Sequence, residues 1–82
     1  MKIQIIKGSF PAHDAKELLT KMIRVKIHYQ EDRISKSDRE EDIKMRERRI
    51  VHLQNDLKMA LSAIGNAATA QLDASIEIEM RN

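Results

Sequence analysis

An α+β fold, predominantly α, in the element order β-α-α-β is the class this sequence predicts. Three observations carry it: short alternating runs at both ends of the chain, two long stretches of helical apolar spacing between them, and a short polar break separating those stretches. Eighty-two residues make one small domain, residues 1–82, with a thin core, because a chain this short keeps a large share of its surface exposed after folding.

The N-terminal run MKIQIIKGSF sets Lys2 and Gln4 against Ile3 and Ile5, then loses its period at Ile6 and meets Gly8, so a strand is expected over 2–7. Pro11 suits a first helical turn, where a missing N–H costs nothing, and Asp14 with Glu17 three residues on has the form of a capping box. The first helix is therefore expected over 12–34. SKSD then supplies turn chemistry. Ser37 with Glu40 reads as a second capping box, and Asp38, Glu40, Glu41 and Asp42 bring negative charge to the positive end of a helix dipole, so the second helix is expected over 38–65. Gly65-Asn66 is a stop signal, although the alanines of NAATAQL leave open a continuation to about Ala70. The last run, ASIEIEMR, alternates Ala74, Ile76, Ile78 and Met80 with Ser75, Glu77, Glu79 and Arg81, and a strand is expected over 74–80.

A short connection between two long helices implies an antiparallel αα-hairpin, and the two strands then meet at its open base as an antiparallel two-stranded ribbon. Outward side chains that are basic or neutral on the first strand and mostly acidic on the last favour that pairing.

The first helix carries more apolar surface than one neighbour can cover. Leu18, Met22, Val25 and Tyr29 form one stripe, assigned to the seam with Ile50, Leu53, Leu57 and Ile64 of the second helix. Leu19, Ile23, Ile27 and Ile34 form a second stripe beside it, assigned to a contact between copies. The expected assembly is a homo-oligomer, a twofold dimer in its simplest form, that completes a helical bundle.

Charge and composition narrow the function. Fifteen basic residues against thirteen acidic leave a net charge of +2, too near balance to imply a polyanion partner. The charged stretch 31–49 holds equal numbers of acids and bases and reads as a solvated hairpin tip, with Glu40–Lys44 and Asp42–Arg46 as intrahelical ion pairs. Arg46, Arg48 and Arg49 are the only candidates there for a basic patch. Phe10 and Tyr29 are the only aromatic residues, so base-stacking platforms are missing. Without cysteine there is no disulfide framework, thiolate metal site or cysteine nucleophile, and His13, His28 and His52 lack ligand spacing. No catalytic, cofactor or metal constellation is expected. No apolar run is long enough for a signal core or a membrane span, which points to a small cytoplasmic protein without membrane contact.

The expected function is that of a non-enzymatic, homo-oligomeric helical-hairpin protein serving as an interaction or scaffold module. The alternative is DNA binding through a basic N-terminal ribbon, using Lys2, Gln4 and Lys7. That layout is ribbon-helix-helix-like in order, but the helices are too long and an acidic strand lies beside the reading strand.

Overall fold

The computed structural model describes all 82 residues as β1 (Lys2–Pro11), α1 (Ala12–Ser35), α2 (Glu40–Ile64) and β2 (Thr69–Glu77). The expected β-α-α-β layout is present, with a helical hairpin joined at its base to an antiparallel two-stranded sheet.

β1 runs beyond the expected 2–7 because Gly8 does not end it. Gly8 stays in the ladder at φ 146°, a backbone conformation that an L side chain adopts only under strain. The lost period at Ile6 has a matching cause. Gln4 pairs with Ser75 and Ile6 with Ala74, so Ile5 is the extra residue of a β-bulge. The Gln4 amide fastens the bulge by donating to the carbonyls of Ile6 at 3.0 Å and Ala74 at 2.8 Å and to the Asp73 carboxylate at 2.8 Å.

α1 follows the strand without a loop. Pro11 stands at its N-cap, and neither Asp14 nor any other side chain caps it. The Ala12 N–H, one of the helix's four unpaired N-terminal donors, reaches the Ala68 carbonyl just ahead of β2 at 3.1 Å. The second expected capping box is also absent, since α2 begins only at Glu40 with Arg39 as N-cap. The Ser37 hydroxyl, one turn too early, accepts the Arg39 N–H at 3.3 Å and shapes the turn. Glu40, Glu41 and Asp42 do occupy the first turn, and the Lys44–Glu40 and Arg46–Asp42 pairs form at 3.1 and 3.2 Å.

Gly65 ends α2 at φ 49°, its N–H returned to the Leu61 carbonyl at 3.0 Å, so the helix does not continue into the alanines. β2 accordingly starts at Thr69 and ends at Glu77, displaced towards the N-terminus from the expected 74–80. The long β1 is the cause: its pairing extends to Pro11 opposite Thr69, and a ladder of backbone bonds outweighs the helix preference of Ala70.

The chain is one layer thick. Its Cα atoms span 46 × 31 × 14 Å, and their radius of gyration is 15.4 Å where a compact domain of this length has about 12 Å. Only Ala15, at the ribbon end of α1, and Leu53, in the middle of α2, are buried. The solvent-accessible surface of 6718 Å² is about a third more than the roughly 5,000 Å² of a compact monomer of the same mass.

Candidate interaction surface

The hairpin seam is marked by a polar contact. Arg46 Nη1 donates to Gln30 Oε1 at 2.8 Å while its Nε holds Asp42, and the Arg46 side chain is only 13% exposed. Gln30 therefore lies on the side of α1 that meets α2. At about 100° per residue, Leu19, Ile23 and Ile34 fall within roughly 40° of Gln30 and Ile27 within about 60°. All four are half-buried, so the residues expected between copies lie on the hairpin side of α1 in the single chain. Ile50, Leu57 and Ile64 are half-buried beside the buried Leu53, as the expected seam of α2 requires.

The other stripe of α1 needs a correction. Val25 is 70% and Tyr29 59% exposed, so neither belongs to the intrachain seam. They sit about 140° and 100° around the helix from Gln30, beyond the reach of α2. Leu18 and Met22, lower on the same stripe, are half-buried near the ribbon, and Leu18 shares a surface depression with Phe10.

The ribbon separates its side chains by face. Opposite pairs place Ile3 and Ile76, Ile6 and Ala74, Gly8 and Leu72, and Phe10 and Ala70 on one side. That face is apolar throughout. The other face carries Lys2 and Glu77, Gln4 and Ser75, Lys7 and Asp73, and Ser9 and Gln71, all exposed. α1 half-covers the apolar face at the hairpin end, whereas Met1, Ile3 and Ile76 at the free end are exposed. Periodicity read only the free-end part of this face, Ile3 with Ala74 and Ile76, because the bulge at Ile5 shifts the alternation of β1 by one residue in mid-strand. A bulge residue between two alternating segments was the available signal.

Lys2, Gln4 and Lys7 do share the polar face, but each lysine stands opposite an acid, Glu77 or Asp73, and the amide donors of Gln4 are engaged on the bulge. Of the three arginines considered as a patch, Arg46 is occupied in the seam, while Arg48 and Arg49 are exposed.

Two carboxylates in helical ion pairs are shifted from their ordinary values. The Lys21 ammonium, 2.9 Å from Glu17, holds that carboxyl below its ordinary range, with a smaller contribution from His13. Asp42 is held low by the Ser37 hydroxyl and then by Arg46. His13 lies 4.0 Å from Glu17, and His28 and His52 are exposed. No three histidine or carboxylate side chains converge as a metal site would need, and no helix is long and apolar enough to cross a membrane. What the fold leaves open to water is apolar in two places, the free end of the ribbon with Met1, Ile3 and Ile76 and the Val25–Tyr29 stripe of α1. In comparisons with known proteins, no family model, no curated protein and no solved structure matches the chain.

Proposed function

We propose that the protein is a non-enzymatic, homo-oligomeric helical-hairpin module whose role is assembly and the presentation of its outer surfaces to a partner. The single-layer architecture carries this reading. A stable domain buries its apolar faces between two layers, and here the chain is 14 Å thick in its thinnest direction and leaves Ile3, Ile76, Val25 and Tyr29 exposed. The surplus of about 1,700 Å² over a compact monomer exceeds the roughly 800 Å² that each partner buries in a standard interface and falls in the range of obligate dimers.

The exposed stripe of Val25 and Tyr29 and the free end of the ribbon are the main contact. Leu19, Ile23, Ile27 and Ile34 add to it only through the parts that α2 leaves uncovered. The outward arginines of α2 and the polar face of the ribbon then remain on the outside. DNA binding through Lys2, Gln4 and Lys7 has no comparable support, because the acids of β2 oppose the lysines and the glutamine is engaged.

Sedimentation equilibrium at low micromolar concentration tests the reading, with a dimer or higher species expected. A monomer with a cooperative thermal transition independent of concentration would refute it.

A further inference from the structure

The two open edges of the ribbon are not alike. β1 carries a bulge at Ile5, the kinked Gly8, a terminal proline and two lysines, all devices that discourage the addition of a strand. β2 has none of them. From Thr69 to Glu77 it contains no Pro, Gly, Lys or Arg and no bulge, and it pairs with β1 on one side only. A strand of nine residues guarded only by the acids Asp73 and Glu77 is a template for another strand whose register keeps those acids apart.

Its free backbone groups can be identified. Met1 and Ile78 exchange hydrogen bonds, with Ile78 N–H to Met1 O at 2.7 Å and the Met1 amine to Ile78 O at 3.0 Å, and at the other end the Ala12 N–H reaches Ala68 O. Hydrogen-bonded positions alternate in an antiparallel ladder, so the even-numbered residues of β2 bond to β1 and the odd-numbered ones present N–H and C=O to the open edge.

We infer that two copies of this chain join through the free edges of β2, antiparallel about a twofold axis, to form one four-stranded sheet in the order β1-β2-β2-β1. The inference rests on the oligomeric reading above and gives it a geometry. Twofold pairing about a residue keeps like faces together, so the two apolar ribbon faces merge on the side where both α1 helices lie. Three or more strands with an apolar face are what a ribbon lacks for stability. Antiparallel joining also sets the exposed Ile3–Ile76 end of each ribbon beside the hairpin end of the other, where the second copy's α1 begins.

Charge selects the register. An axis at Asp73 would bring two carboxylates face to face. An axis at Leu72 places Asp73 opposite Gln71 and Ser75 opposite Thr69, and an axis at Ala74 places Asp73 opposite Ser75 and Gln71 opposite Glu77. Neither opposes like charges, so among the three positions at the centre of the strand the axis passes Leu72 or Ala74. Both are non-hydrogen-bonded positions on that edge, where facing Cα atoms are about 4.5 Å apart, within disulfide reach.

The chain has no cysteine, so single cysteines report directly. Under mild oxidation Leu72→Cys or Ala74→Cys should give a covalent dimer that retains native circular dichroism, whereas Met59→Cys, on an exposed part of α2, should not. Ser75→Pro removes an outward N–H and leaves the β1 ladder whole, and should weaken dimerisation by about tenfold or more with the helix signal intact. A parent chain that sediments as a dimer but crosslinks at neither position, or no better than Met59→Cys, overturns the edge pairing alone. A monomeric parent overturns the oligomeric reading with it. The cysteine pair keeps the test decisive should Ser75→Pro misfold.

Discussion

The two apolar flanks of α1 look equivalent on a helical wheel and behave differently in the fold. One, with Leu19, Ile23, Ile27 and Ile34, carries a polar residue at its centre, Gln30, which is tied to Arg46 of α2. The other, Leu18, Met22, Val25 and Tyr29, has no polar interruption and ends in two exposed side chains. Apolar purity is therefore a poor guide to which flank the chain keeps for itself. Periodicity reports how much apolar surface a helix carries, and a hydrogen bond between helices reports which side of it faces its neighbour.

The comparison breaks most sharply under substitutions in the seam. Ile23→Asp places a charge without a partner against α2, and we expect a loss of more than about 3 kcal/mol, enough to unfold so small a chain. Leu53→Ala, at the one buried position of α2, should cost about 2 to 4 kcal/mol. Urea denaturation followed by circular dichroism measures both. A loss below about 1 kcal/mol in each would mean that the hairpin is not held by this flank.

Val25→Asp with Tyr29→Asp addresses the other flank. These side chains are already in water within one chain, so the double variant should keep its helix content and lose association, by about 2 to 4 kcal/mol. The melting temperature of the parent should rise with protein concentration, and that of the variant should not. If both melt alike at every concentration, the exposed stripe takes no part in assembly.

Much of the fold was legible in the sequence. The four elements, their order and the antiparallel hairpin follow from spacing that survives folding, as with Ile50, Leu53 and Leu57 along α2. Hidden from it were features decided between strands distant in sequence. The helix-forming Ala70 does not announce a strand, because what holds it is the partner segment Gly8–Pro11. The hairpin half of the apolar ribbon face was masked by one bulge residue, and the expected capping boxes failed because α1 begins two residues ahead of Asp14 and α2 has Arg39, not Ser37, at its N-cap. Of the candidate site, the surplus of apolar surface on α1 could be read from the sequence, but not which stripe stays open.

A smaller effect comes from the polar interruption itself. Arg46→Met keeps the stem of the side chain but leaves Gln30 and Asp42 without their partner. Both can turn to water at the edge of the seam, so a cost of about 1 to 2 kcal/mol is expected. Pairing Arg46→Met with Gln30→Leu should recover part of that, since an apolar pair can replace a hydrogen-bonded one at little cost. A double variant less stable than the sum of the single ones would show that Gln30 has a second role in the seam.

The smallest expected effect is acid sensitivity, and it too divides between the flanks. Asp42, half-buried near the seam, is held below its ordinary value of 3.8 by Ser37 and Arg46, and Glu17, on the exposed side of α1, below 4.5 by Lys21. A carboxyl depressed in the folded state adds stability that is fully present above its ordinary pKa and is lost as the pH falls through the folded-state value. Urea midpoints should therefore decline as the pH drops below those two values, and less steeply in Asp42→Asn and Glu17→Gln. Protonating Asp42 also frees Arg46 Nε, so Asp42→Asn should lower stability at neutral pH as well, and by less in an Arg46→Met background. Because both ion pairs lie within one chain, the acid slope should not change with protein concentration. A slope that steepened on dilution would place one of these carboxylates at the contact between copies and move the boundary between the two flanks of α1.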